Sequence, residues 1–568
     1  MKQGSMQPEA IKPAVMKNWI QRHPRLLITA IAVVFLGSAI GQRYPWHIDE
    51  VRFVGVALEM LQSGHWWVPH RAGEIYPDKP PIFFWVLGAL FGLTGSVRWT
   101  FLLPAILAGV ATLLMVYDLS ARLWNRRVGV SAAITLLACY QFWRLATYAH
   151  IDGFLVAWTT LGLYGFTRYL LLGRERLWFF VAMFAVAVGI LTKGVGFLPL
   201  WIFFPYALVL RRDKRYEKVP TKLRLAGTAL LFGLLLCWLV PLLVRAHTNI
   251  DIKNYLDEIL FHQTAKRYAK AWQHREPAWF FLQSIPKYWA PLSIFLPWIV
   301  PFWWRRIRRL DGRYVLLVGW AVLVLFFFSL SSGKRELYML PALPAVAMAS
   351  APALLMLLRR RCWRRVADAS ALFLIAAAVI VGYIRLRDLL PKSPLAEWPA
   401  ATSTVLFAAA LTALCAFVLL RRQSAARRWL AVYAVIIIFY QRGLVPLSDA
   451  RESGRAAMAA LSAQAPAGLA LPAWDERNWL YARTAIVHNS VHSDLATNEC
   501  GIAPAGMRWL LPVEIAGADG IAAANAIAVQ PKDRFVVADK APAAECKSRA
   551  AFSYRFQWDA ASLRRLDR

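Results

Sequence analysis

The sequence predicts an all-α polytopic membrane protein, about 13 transmembrane helices followed by a small C-terminal α/β domain. Three observations carry the prediction. Of the 568 residues 58% are hydrophobic, where soluble domains have about 45–50%, and mean hydropathy is +0.43. The apolar residues are gathered into runs of roughly 17–21, the length that crosses a bilayer as helix. The 26 tryptophans suit a chain that meets two headgroup layers, where indole is favoured.

Charge then orders the runs. The chain has 66 Lys and Arg against 33 Asp and Glu, a net +33. In a soluble chain that excess would point to nucleic acid. Here the basic residues sit in short gaps between apolar runs, and no nucleic-acid motif appears, so they read as topology. The gaps RLWNRR (122–127), GRER (173–176), RRDKRYEKVPTKLR (211–224), RRIRR (305–309), RRRCWRR (359–365) and RRQSAARR (421–428) belong in the cytoplasm by the positive-inside rule. The gaps between them fall outside: 147–152, 192–194, 246–287, 331–336 and about 386–400.

Residues 1–25 carry Lys17, Arg22 and Arg25 ahead of the first apolar run. They read as a cytoplasmic N-terminus before a signal-anchor helix. The expected spans are about 26–42, 98–118, 128–146, 153–172, 177–191, 195–210, 225–245, 288–304, 314–330, 337–357, 366–385, 401–420 and 429–441, within a transmembrane domain over 26–441. One apolar stretch, PPIFFWVLGALFGLTG (80–95), would break the alternation if it crossed. It is expected to lie along the outer interface or fold back as a short re-entrant helix. Residues 443–568 are rich in Ala and Asp with no spanning run, which predicts the small α/β domain on the outer face. Cys500 and Cys546 are the two cysteines expected outside, where an oxidising compartment would permit a structural disulfide.

With topology assigned, the outer polar residues converge. The first outer loop, 43–97, carries Asp49, Glu50, Asp78 and Lys79. The second delivers His150 and Asp152 to the mouth of a helix. Lys193 sits in ILTKG. The loop 246–287 carries His262, Lys266 and Arg267, and SSGKRELYMLP brings Lys334, Arg335 and Tyr338. Each has a plainer reading: Asp49 and Glu50 as solvated helix-end charges, Lys193 as a snorkelling side chain, Lys266–Arg267 as an exposed patch. Their coincidence on one face, at a depth where charge is costly, favours function. A groove with both signs of charge at the bilayer edge suits a lipid-linked anion, its phosphate on the cations and its tail among the spans.

The ordered motifs HIDE (47–50), GHWWVP and PDKPPIFFW (64–85), Asp152, ILTKG (190–194) and SGKRELYMLPALP (332–344) resemble those of the GT-C type membrane glycosyltransferases, which use polyprenyl-phosphate sugars. The resemblance covers roughly residues 20–350 and is greatest to the aminoarabinose transferases of lipid A, relatives of the protein O-mannosyltransferases. It implies a GT-C fold in a bacterial inner membrane, with the C-terminal domain in the periplasm. It implies Asp49 and Asp152 as the catalytic pair. Lys79, Arg267, Tyr338 and Lys193 would hold the donor phosphate, with Lys266 and Lys334 secondary to them, and Glu50 is expected to fix the loop beside Asp49. A divalent metal on Asp78 and His262 is conceivable, but the pair is a thin site and no cofactor is expected to be required. The implied partners are an undecaprenyl-phosphate-linked sugar, lipid A and membrane lipids. The competing readings are transfer to protein Ser or Thr, and transport of a lipid-linked sugar. A transporter would place its charges at mid-membrane within inverted repeats, and the sequence has neither.

Overall fold

The computed structural model describes residues 23–260, 276–471 except 394 and 396, 476–488, 499–502, 507–512, 527–528, 534–539, 548–551 and 554–568. Each predicted apolar run holds a helix, from Pro24–Gly37 to Ala425–Phe439. Among the described residues seven helices are long and apolar enough to cross a membrane, and an eighth bent pair qualifies if taken together. Several others, such as Pro24–Gly37, Arg176–Thr192 and Ala342–Leu357, are apolar but shorter.

The bent pair departs from the sequence reading of 128–146 as one span. Arg126–Ala138 and Tyr140–Ala146 meet at 72°. Cys139 takes extended dihedrals, and the Tyr140 N–H leaves the helical ladder to donate to the Ala290 carbonyl at 2.9 Å. A partner outside the helix compensates the lost ladder bond. The second kink has a different origin. Gly194–Ile202 is a tight 3-10 segment, and Gly196 lies so close to Gly189 that a Cβ would sit 1.9 Å from that backbone. Only glycine permits this approach. It leaves Lys193, in extended conformation, at the break between two helices.

Residues 80–95 form the 13-residue helix Ile82–Thr94. At about 1.5 Å per residue it is near 20 Å long, short of the roughly 30 Å hydrocarbon core. It packs along Ile48–Ser63, with Trp66 against Gly88 and Leu61 against Gly92. Large apolar side chains elsewhere face outward, among them Phe204, Phe373 and Leu419, as lipid-facing helices require. Three of the predicted basic gaps, 122–127, 173–176 and 211–224, make contacts near helix ends. The Arg313 guanidinium donates to the Leu123 carbonyl at 3.0 Å, Arg174 donates to the Lys218 carbonyl at 2.7 Å, and Arg25 and Arg122 both pair with Asp118.

At the chain's end the helical run continues through the expected boundary near 443, as far as Glu452. Beyond it a six-stranded mixed sheet forms in the order Tyr554–Phe556, Ile486–His488, Leu469–Leu471, Arg508–Pro512, Arg534–Ala538 and Ile527–Ala528. The middle strands pair in parallel and the outer ones antiparallel. Cys500 lies in a separate two-stranded ladder opposite Arg549; Cys546, and with it the expected disulfide, lies outside the described residues. The sheet and its helices cover the 43–97 segment. Trp479 is fully buried against Gly55, Tyr481 donates to the Pro45 carbonyl at 2.5 Å, and His488 contacts the Ala72 carbonyl at 2.9 Å.

Candidate active site

Two aspartates enter the site from the first turns of two helices. Asp49 begins Ile48–Ser63 and Asp152 begins Ile151–Arg168. Carboxylates are favoured there by the unpaired N–H groups and the positive end of the helix dipole. The tripeptide His-Ile-Asp opens both helices, with His47 and His150 as the N-cap residues. The two histidines are shifted in opposite directions. Burial lowers the pKa of His47. Burial also works against a charged His150, but its contacts with Asp152 and Asp49 outweigh it and raise the pKa.

His150 joins the two carboxylates. Its Nε2 lies 3.2 Å from Asp49 Oδ2, and its Nδ1 lies 3.0 Å from Asp152 Oδ2. The Asp152 amide also points at Nδ1, at 3.2 Å, so the neutral ring serves as a cap and the protonated ring as a bridge. Lys193 donates to both oxygens of Asp152, at 2.7 and 2.9 Å. Its ammonium stands 4.9 Å over the Tyr338 ring, which stacks on Phe328. Asp49 meets Arg335 at 3.1 Å and Arg52 at 3.5 Å. Burial opposes the charge on Asp49, yet His150, Arg335 and Arg52 hold the carboxyl far below the usual range.

These groups line a cavity of about 1720 Å³ that also takes in Asp78, Lys79 and Arg335. The predicted residues Asp49, Asp152, Lys79, Lys193 and Tyr338 all face it. Lys79 donates to the Asp78 backbone carbonyl at 2.9 Å. Arg267, Lys266 and His262 lie outside the described residues, so the expected phosphate contact of that loop and the Asp78–His262 pair are not described. Among the described residues no three His, Cys, Asp or Glu side chains are grouped to hold a metal ion.

Glu50 and Lys334 both lie outside the cavity lining. Glu50 is fully buried and does not line the cavity. It takes a bidentate pair from Arg43 at 2.5 and 2.6 Å and accepts the Ala149 N–H at 2.9 Å. That bond ties the 147–149 loop to the helix Ile48–Ser63 and brings His150 beside Asp49. Lys334 is buried, donating to the carbonyls of Glu276 and Ser331 at 2.8 and 2.6 Å. The segment is extended at Arg335, so neighbouring side chains point opposite ways: Lys334 enters the protein and Arg335 enters the cavity. Arg52 is absent from the outer polar residues the sequence brings together, while His150 and Arg335 are among them without an assigned role. For His150 the signal was present in the repeated His-Ile-Asp.

Residues 78–244 match the model of the dolichyl-phosphate-mannose-protein mannosyltransferase family. The chain is 29% identical over 340 residues to an undecaprenyl phosphate-α-4-amino-4-deoxy-L-arabinose arabinosyl transferase of Pseudomonas savastanoi pv. phaseolicola, covering 59% of this chain and 61% of that one. It is 28% identical to the transferase of the same name in Pectobacterium carotovorum, covering 65% and 67%. The match thus spans about three-fifths to two-thirds of those relatives' length. The structure superposes on crystal structures of ArnT from Cupriavidus metallidurans. For the form bound to undecaprenyl phosphate the TM-score is 0.71 at 19% identity, over 93% of this chain and 99% of that one; the apo form also scores 0.71, at 20% identity. The chain therefore shares the fold of ArnT from Cupriavidus metallidurans.

Proposed function

We propose that the chain transfers a sugar, 4-amino-4-deoxy-L-arabinose, from undecaprenyl phosphate to a phosphate of lipid A at the outer face of a bacterial inner membrane. The reading includes thirteen crossings, a cytoplasmic N-terminus and a periplasmic C-terminal domain. One observation carries it: a single cavity at the end of the bundle away from the basic loops holds two aspartates amid Lys79, Lys193, Arg335 and Arg52. The names of the similar transferases supply the sugar and the carrier.

In this reading the donor phosphate departs as an anion and needs fixed positive charge. Lys79 supplies it together with Arg267, and Arg335 adds a planar guanidinium suited to two phosphate oxygens. Lys193, held over Tyr338, marks the wall on the donor side. Asp49 is poorly suited to take a proton. A carboxylate held far below its ordinary pKa is a weak base, and an anionic lipid A phosphate needs none. Asp49 and Asp152 therefore act by charge, on the amino sugar's ammonium and on the positive character developing at the anomeric carbon. Displacement occurs in one step with inversion.

The match to the mannosyltransferase family model favours a second reading, transfer to Ser or Thr, in which an acceptor hydroxyl would have to lose its proton. Expression in cells lacking the lipid A transferase separates the two. Aminoarabinose-modified lipid A and polymyxin resistance are expected, and membrane expression without either refutes the first reading.

A further inference from the structure

Arg52 stands between two carboxylates. Its Nη1 is 3.5 Å from Asp49 Oδ1, and its Nε donates to Glu476 Oε1 at 2.7 Å. Glu476 belongs to the C-terminal domain and opens the short helix Glu476–Tyr481. The same Oε1 accepts from Arg71 Nη1 at 3.0 Å, so two guanidiniums share one carboxylate oxygen. Glu476 and Arg71 are each about 5% exposed at the side chain, and Arg52 is 24% exposed.

Arg71 is fixed independently. It lies in the hairpin His70–Arg71/Glu74–Ile75, whose turn residues Ala72 and Gly73 have positive φ. Both turn N–H groups donate to Glu59, at 2.7 and 2.8 Å. Around this point the domain grips the segment leading into Asp49: Arg477 donates to the Trp46 carbonyl at 3.3 Å and Tyr481 to that of Pro45. Arg477 and Glu452 themselves line the cavity.

We propose that the C-terminal domain is a working part of the site, with Glu476 as the positioning residue that sets how far Arg52 stands from the Asp49 carboxylate. The physical reason is competition. A half-buried guanidinium between two carboxylates pairs more closely with one at the expense of the other. Glu476 holds Arg52 back at 3.5 Å from Asp49 Oδ1, which leaves that oxygen the more loosely held one while Arg335 and His150 hold Oδ2. Without the Glu476 charge, Arg52 collapses onto Asp49 and closes it. The catalytic consequence rests on the transfer reaction proposed above.

The test uses the full chain in nanodiscs with the undecaprenyl-phosphate aminoarabinose donor and lipid A. Glu476→Gln is expected to lower kcat about tenfold or more, with a smaller change in KM for the donor. In an Arg52→Ala background it should add less than about twofold, because the two residues act in series. Gln62→Ala breaks the contacts with the Gln557 carbonyl and the Asp559 N–H at the same interface, away from the cavity, and should leave kcat unchanged. Wild-type kcat in Glu476→Gln, full additivity with Arg52→Ala, or an equal loss in Gln62→Ala overturns the proposal. A cryo-EM structure of Glu476→Gln reads the same point without activity. Arg52 at about 3 Å from Asp49 Oδ1 supports the proposal, and an unmoved Arg52 sinks it. Absence of transfer by the wild-type chain defeats the function reading and leaves that structural readout standing. If Glu476→Gln does not accumulate, Glu476→Asp, which withdraws the charge by one methylene, is read in the same two ways.

Discussion

Lys193 holds Asp152 by both carboxylate oxygens, at 2.7 and 2.9 Å. The two residues are 41 positions apart, one at the start of a helix and one at the end of the next. The Asp152 side chain is 4% exposed, so its charge depends on this partner and on His150.

Removing the ammonium therefore leaves a buried, half-compensated carboxylate. Lys193→Met is expected to destabilise the protein by about 3 kcal/mol and to abolish transfer. Adding Asp152→Asn should recover much of the stability and none of the activity. Thermal unfolding in detergent, beside a transfer assay, checks both.

Asp49→Asn keeps the shape of the side chain and removes its charge. We expect a fall in kcat of about 100-fold or more and a lower unfolding temperature at neutral pH, because His150, Arg335 and Arg52 lose their anion. The ionised state of Asp49 makes a second prediction. Its pKa is depressed in the folded state, so its contribution to stability is present above the ordinary value of about 4 and is lost as pH falls below it. The wild-type rate should show no acid limb from Asp49 above pH about 5, and Asp49→Asn should lose less stability than wild type at still lower pH.

His150 gives the opposite sign. Its pKa is raised on folding by two carboxylates. Its charged form stabilises the protein fully below about pH 6.5, and that contribution disappears as pH rises through the folded value. The unfolding temperature should decline as pH rises above about 6.5, and His150→Gln should flatten this decline. An identical alkaline slope in the variant would rule out His150 as its source.

Lys79 and Arg335 are expected to contribute to phosphate binding rather than to the fold. Undecaprenyl phosphate should raise the unfolding temperature of the wild-type chain, and Lys79→Ala and Arg335→Ala should each weaken that response about tenfold in lipid concentration. Lys334→Ala is expected to act differently. Its ammonium caps two backbone carbonyls, so the variant should lose stability while keeping its relative response to the lipid.

How much of this was legible beforehand depends on the range of the interaction. Helix positions follow from apolar run length, a local property, and the basic gaps convey which ends lie together. Asp49, Asp152, Lys79, Lys193 and Tyr338 could be picked out because each breaks an apolar or aromatic stretch at a predicted outer end. The bend at Cys139 could not, since it depends on the carbonyl of Ala290, about 150 residues away in the chain. The split between Lys334 and Arg335 was equally hidden, because adjacent cations in an extended segment face opposite ways and composition does not say which faces inward.

The sequence by itself determined a membrane-embedded helical chain with its acidic and basic outer residues gathered toward one end, because hydropathy and charge act over a few residues at a time. Only the tertiary structure decided which of those charges meet. Glu50 closes on Arg43 and supports the loop, His150 links Asp49 to Asp152, and Glu476 arrives from more than 400 residues away to share Arg52 with Asp49. Such pairings are set by the folding-back of distant segments, where the burial of a charge must be met by whichever partner the packing brings within reach.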